Sequence, residues 1–171
     1  MEDPDCPTLT IIDRETWGAV DSKCTTPKSL DDLTPVPFIV IFNTGGETCD
    51  TEPTCKTVVK TLQTSHMDDK NWNDIGCNFL IGGDGSKYEG RGWTTLGPHK
   101  KAYPDGYIGI CFIGTFTEDD PTLAAVTAAK DLIACGTAKG LIDSTSVLKA
   151  HKTLGPDCPG VKLYEAVQNW E

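Results

Sequence analysis

Histidine and cysteine are the residue types here with lone pairs suited to zinc or to thiol chemistry, and the chain of 171 residues holds three of the first and eight of the second. The sharpest local spacing is Cys49-Asp-Thr-Glu-Pro-Thr-Cys55. Two cysteines bracketing a proline-containing turn can come within bonding range, which predicts a short disulfide. The gap does not suit a zinc knuckle, which uses two to four intervening residues and a second matching pair. No nucleophile elbow, phosphate-binding loop or adjacent catalytic carboxylate pair accompanies these groups.

The elements that must position them follow from periodicity. Val58, Val59, Leu62 and His66 fall at helical spacing, so a helix after Cys55 carries His66 on or beside its apolar face. Phe38 to Phe42 is apolar on both faces, as in a central strand, and Tyr107 to Phe116 reads as another buried strand. Cys77 to Ile81, the turn Gly82-Gly83-Asp84-Gly85 and Lys87 to Gly90 form a hairpin. Pro121 suits the first turn of a helix burying Leu123, Val126, Ala129, Leu132 and Ile133, ended by Gly136 or Gly140. A strand near Ser146 to His151 and a helix with Leu163, Tyr164, Val167 and Trp170 close the chain. With no repeat or linker, residues 1–171 read as a single α/β domain, a mixed central sheet flanked by helices.

Composition narrows the function. A net charge of −10 repels nucleic acid and anionic lipid, and no apolar run approaches the roughly 20 residues of a membrane span. Met1-Glu2-Asp3-Pro4-Asp5 is not a basic-then-apolar leader, so localisation is read from the cysteines, whose number favours a secreted or extracellular setting.

The segment Trp72-Asn-Asp-Ile-Gly-Cys-Asn-Phe-Leu-Ile-Gly-Gly-Asp-Gly-Ser-Lys-Tyr-Glu-Gly-Arg-Gly-Trp93 resembles the signature of peptidoglycan recognition proteins, relatives of zinc-dependent type 2 amidases. The likeness extends from Ile11–Gly18, similar to an opening strand and Trp-Gly, to Cys158-Pro-Gly160 and Leu163-Tyr164. It implies a mixed sheet with three α-helices and a groove for the muramyl-peptide of bacterial peptidoglycan, in innate immunity. Catalytic members hold zinc through a histidine of His-His-Thr, a histidine of Gly-His-Arg and the cysteine of Cys-Pro-Gly. Here the first segment is Phe42-Asn43-Thr44, and phenylalanine has no lone pair to give. His151 and Cys158 match the other ligand positions as vestigial groups, and the family's catalytic tyrosine is Cys77. The resemblance therefore implies a binder without catalytic residues or zinc. The alternatives are an amidase whose zinc is held by Cys77, His151 and Cys158, or a regulatory receptor ectodomain or decoy. Such a decoy would have a groove occluded by Phe42 and Pro104 and would associate with another recognition protein or with itself.

Ligand contact is carried over by resemblance to Asn43, Thr44, His66, Lys70, Asn71, Trp72, Cys77, Arg91 and His99. Lysine-type readers resemble Asn-Phe at positions 71 and 72 and diaminopimelate-type readers resemble Gly-Trp, so Asn71-Trp72 mixes the two. Lys100 and Lys101 are further cations able to meet an anionic stem peptide. The family's bridges correspond to Cys49–Cys55 and Cys6–Cys135, the second tying an N-terminal arm, residues 1–10, to the long helix. Cys24 lacks its usual partner, which leaves Cys77, Cys111 and Cys158 free, or one of them paired with Cys24.

Overall fold

A computed structural model describes residues 2–3, 6–23, 29–99, 102–150 and 161–168. Its strands are β1 (Glu2–Asp3), β2 (Cys6–Thr10), β3 (Val36–Asn43), β4 (Phe79–Ile81), β5 (Lys87–Glu89), β6 (Tyr107–Phe112) and β7 (Ile142–Ala150). The helices are the single turn α1 (Arg14–Trp17) and the longer α2 (Glu52–Asp68), α3 (Leu123–Ala138) and α4 (Val161–Gln168).

The main sheet has the order β5-β4-β6-β3-β7. β3 lies between β6 and β7, parallel to both, which explains why it is apolar on both faces. β4 runs parallel to β6, and the hairpin partner β5 runs antiparallel at the edge. In-register pairs share a face, so Phe38, Val40 and Phe42 lie beside Tyr107, Gly109 and Cys111. β1 and β2 form a separate two-stranded ribbon, tied to α3 by Cys6–Cys135.

Local chemistry sets the element ends. α2 starts at Glu52, ahead of the position expected after Cys55, because Thr51 accepts from the Thr54 N–H and Pro53 fits the first turn. The Cys49–Cys55 disulfide spans that start, as its spacing predicts. Pro121 lies outside α3, whose cap is Thr122. Gly136 does not end α3: a Cβ there would stand 2.5 Å from Ile142 and 2.6 Å from Trp93, so its role is close packing, and Gly140 at φ 74° follows the end instead. Ile11–Gly18 is not a sheet strand; Ile12 makes one bridge to Tyr88, and Asp13 caps the turn that buries Trp17.

Candidate functional site

The C-terminal end of α2 builds one wall of the site. Asn71 takes a left-handed conformation (φ 59°), which asparagine tolerates better than most residues. The chain thereby reverses, and the Trp72 N–H donates to the His66 carbonyl at 3.0 Å. The Trp72 ring meets His66 edge-on with centroids 4.8 Å apart. The Gly76 N–H donates to His66 Nδ1 at 2.8 Å, and a Cβ on Gly76 would lie 2.6 Å from the Trp72 ring.

Rings continue from there without interruption. Trp72 meets His99 edge-on at 5.8 Å, and His99 stacks on Phe42 at 5.2 Å. The backbone N–H of His99 donates to the Tyr107 hydroxyl at 3.1 Å, and burial pushes that hydroxyl up to about 12. Tyr107 packs on Tyr103 at 5.3 Å, and Tyr103 on Phe38 at 5.5 Å. An ammonium stands over each end of this track: Lys70 lies 4.9 Å above Trp72 and Lys149 lies 5.5 Å above Phe38. His66, Trp72, His99, Tyr103 and Phe38 are partly exposed, whereas Phe42 and Tyr107 are buried beneath them. Such a surface offers flat apolar faces to a ligand and cations to its carboxylates.

His66 is held neutral. Burial, then the fields of Lys70, Arg91 and His99, lower its pKa to about 4. Since Nδ1 already accepts from Gly76, Nε2 carries the ring proton and is the donor left over. The folded pKa is below the unfolded value of about 6.5, so protonation favours the unfolded chain. His66 therefore adds stability in full above pH 6.5, and that stability is lost as pH falls towards 4. The expected loss is roughly 2 kcal/mol after allowance for the ring's partial exposure. His66→Gln should flatten this part of the urea-midpoint-against-pH curve; an unchanged curve would assign the dependence to other groups.

Beneath the rings, polar side chains are used internally. Asn78 is fully buried and donates to the Gly92 and Thr95 carbonyls at 2.9 Å each, while its Oδ1 accepts from the Gly109 N–H at 2.8 Å. Arg91 gives its Nε to the Ile75 carbonyl (2.7 Å), one Nη to Leu96 (2.9 Å) and the other to Asp74 (3.4 Å). It thus fastens the loops around the site. Asp74 receives Gln63 at 2.9 Å and Arg14 at 3.0 Å. The hydroxyl of Thr44 accepts from the Gly114 N–H at 3.0 Å, closing the end of β3, and Asn43 is half-buried beside Phe112 in register.

Cys77 corrects the sequence expectation most sharply. Its sulfur is bonded to Cys111 of β6 and the residue is only 2% exposed, so it lies under the site and supplies no thiolate. The structure thus brings together His66, Lys70, Trp72 and His99, with Asn71 as the hinge. Lys100, Lys101, His151, Cys158 and Cys24 lie outside the described residues. Sequence reasoning missed Asn78, Tyr107 and Lys149. Asn78 carried a signal in its placement just before an apolar strand, where a polar side chain must find partners if buried.

A catalytic zinc needs three protein ligands around an open position. The first position is filled by the Phe42 ring, which stacks on His99, and the thiol of Cys77 is consumed by its disulfide. Among the described residues no three His, Cys, Asp or Glu side chains converge on a metal-sized space. Within the described residues the donors present therefore fall short of the three ligands a catalytic zinc needs.

Comparison with known proteins gives one consistent answer. The family model described as N-acetylmuramoyl-L-alanine amidase matches residues 32–161. The chain is 38% identical over 163 residues to peptidoglycan-recognition protein SC2 of Drosophila simulans, covering 95% of this chain and 86% of that protein. Its fold superposes with a TM-score of 0.87 at 36% identity on peptidoglycan recognition protein-LE, crystallised with tracheal cytotoxin, a monomeric diaminopimelic acid-type peptidoglycan. That match covers 94% of this chain and 93% of the other. It superposes equally well, with a TM-score of 0.88 at 36% identity over 95% of this chain and 96% of the other, on a structure of tracheal cytotoxin bound to the ectodomain complex of peptidoglycan recognition proteins LCa and LCx.

Proposed function

The chain belongs to the peptidoglycan recognition protein family, related to the type 2 amidases, and from that premise we propose that it binds bacterial muramyl-peptides for innate-immune recognition and does not cleave them. The observation that carries the reading is the ring track from His66 to Phe38 with Phe42 at the first metal position. Aromatic faces suit the apolar faces of a sugar and of a stem peptide, and Lys70 and Lys149 suit its carboxylates. Without a metal hydroxide, nothing in the described residues generates the nucleophile that amide hydrolysis by this route requires. The version of the amidase in which Cys77 serves as ligand is not supported, since its sulfur is bonded to Cys111.

Disulfides among the described residues favour an oxidising, extracellular setting, and no helix there is long and apolar enough to cross a membrane. A second reading, a regulatory partner of another recognition protein, draws support from the Phe42–His99 stack, which fills part of the site. The two-protein ectodomain complex of its relatives is in keeping with it.

Calorimetric titration with lysine-type and diaminopimelate-type muramyl-pentapeptides, with the ligand recovered and weighed by mass spectrometry, tests the proposal. Binding of intact ligand supports recognition and names the preference; a cleaved product overturns the loss of catalysis, and silence with both turns the assignment to the regulatory reading. In the same assay Trp72→Ala should weaken binding by about 1–3 kcal/mol through lost apolar contact. An unchanged constant would remove Trp72 from the site.

A further inference from the structure

Beyond the C-terminal ends of β3, β4 and β6 lies a cavity of about 220 Å3 that shares no lining residue with the ring track. Its floor is apolar, built from Ile81, Phe112 and Phe116, all at least 95% buried as residues. Its rim carries the exposed carboxylates Asp50, Asp119 and Asp120. Backbone lacing holds the walls together. The Gly83 N–H donates to the Cys49 carbonyl (2.8 Å), the Thr122 hydroxyl to the Gly83 carbonyl (2.6 Å) and the Thr115 hydroxyl to the Gly46 carbonyl (2.8 Å).

Among the described residues none of these aspartates hydrogen-bonds or pairs with a cation. Lys162, whose N–H donates to the Phe116 carbonyl, directs its ammonium to Glu165 at 3.8 Å instead. The carboxylates do not form a metal-ligand set, so an extended organic cation fits them better than an ion. The volume is below the roughly 300–1,000 Å3 of ordinary small-molecule sites, which points to one inserted side chain. Lysine and arginine place an aliphatic stem against apolar surface and a charged head among carboxylates. Leu123, next in sequence to the lining residue Thr122, is 82% exposed and so presents an apolar side chain to solvent beside the lining.

We propose that this cavity is a docking site for a partner polypeptide, taking one lysine or arginine side chain while Leu123 meets an apolar neighbour of that residue. The net charge of −10 steers such a basic partner inward.

The test uses the whole chain labelled with 15N and three probes: acetyl-Gly-Lys-Leu-Gly-amide, Nα-acetyl-lysine N-methylamide, and the neutral norleucine counterpart of the latter. Both cations should shift amide signals of residues 48–50, 81–83 and 112–125, and the norleucine compound should not. Asp119→Asn with Asp120→Asn should weaken the cations about fivefold, and added salt should do the same. Leu123→Ala should weaken the tetrapeptide about threefold and leave the lysine amide unchanged. Absence of shifts, equal shifts with norleucine, or indifference to the aspartate changes would overturn the site. Binding of the two cations with equal strength and no Leu123 effect would overturn its use by a polypeptide and leave a small-amine pocket. Far-ultraviolet circular dichroism checks that each variant is folded, and unaltered muropeptide binding by the aspartate variant keeps the two sites separate.

Discussion

Asn78→Ala is expected to lower the stability of the protein by about 3–6 kcal/mol, because it strands backbone groups that are buried or largely buried. The Gly92 and Thr95 carbonyls lose their donor and the Gly109 N–H loses its acceptor, all around a residue with no solvent exposure. Asn78→Asp should be comparably harmful, since it keeps the acceptor but removes both donors and buries a charge. Gly109 lies on the strand face that carries Phe42, and a Cβ built on Gly109 would stand 3.2 Å from the Phe42 ring. Muropeptide binding should therefore weaken along with the urea midpoint. A change of under 1 kcal/mol would mean that water or a local shift satisfies these groups.

The second large effect is expected from opening the bridge beneath the site. Cys77→Ala with Cys111→Ala removes a link of sequence separation 34, worth roughly 3–4 kcal/mol through loop closure in the unfolded chain. Cys49→Ala with Cys55→Ala removes a link of separation 6, worth about 2 kcal/mol on the same scale. The first pair should also weaken muropeptide binding, because Cys77 adjoins Gly76, whose N–H holds the His66 ring. Urea denaturation and titration of both double variants check this. Equal losses in stability would show that loop closure does not govern these bridges, and unchanged binding would detach the bridge from the site.

Much of the architecture was legible because it is encoded at short range. Helical spacing of Val58, Val59, Leu62 and His66 placed α2, and the Gly82–Gly85 segment placed the β4–β5 hairpin. The Cys49–Cys55 bridge spans a single turn and one helix start, so spacing alone sufficed. Helix starts were displaced by a few residues because caps compete with proline for the boundary, as Thr122 does beside Pro121.

The site divides in the same way. That Phe42 cannot ligate zinc is a property of the side chain and holds in any fold, so the sequence alone determined it. That Cys77 cannot do so either depended on Cys111 lying opposite Phe42 and Leu80 in register, across two strand pairings. Cysteine connectivity is not deducible from spacing when several pairings remain open. The assignment of Arg91 to three carbonyls, the burial of Asn78 and the acidic cavity were likewise decided only by tertiary structure. The cavity and the Asn78–Gly109 bond rest on segments brought together by parallel strands, whose connections are long and leave no local periodicity to read, whereas Arg91 bonds within the loops that flank the antiparallel β4–β5 hairpin.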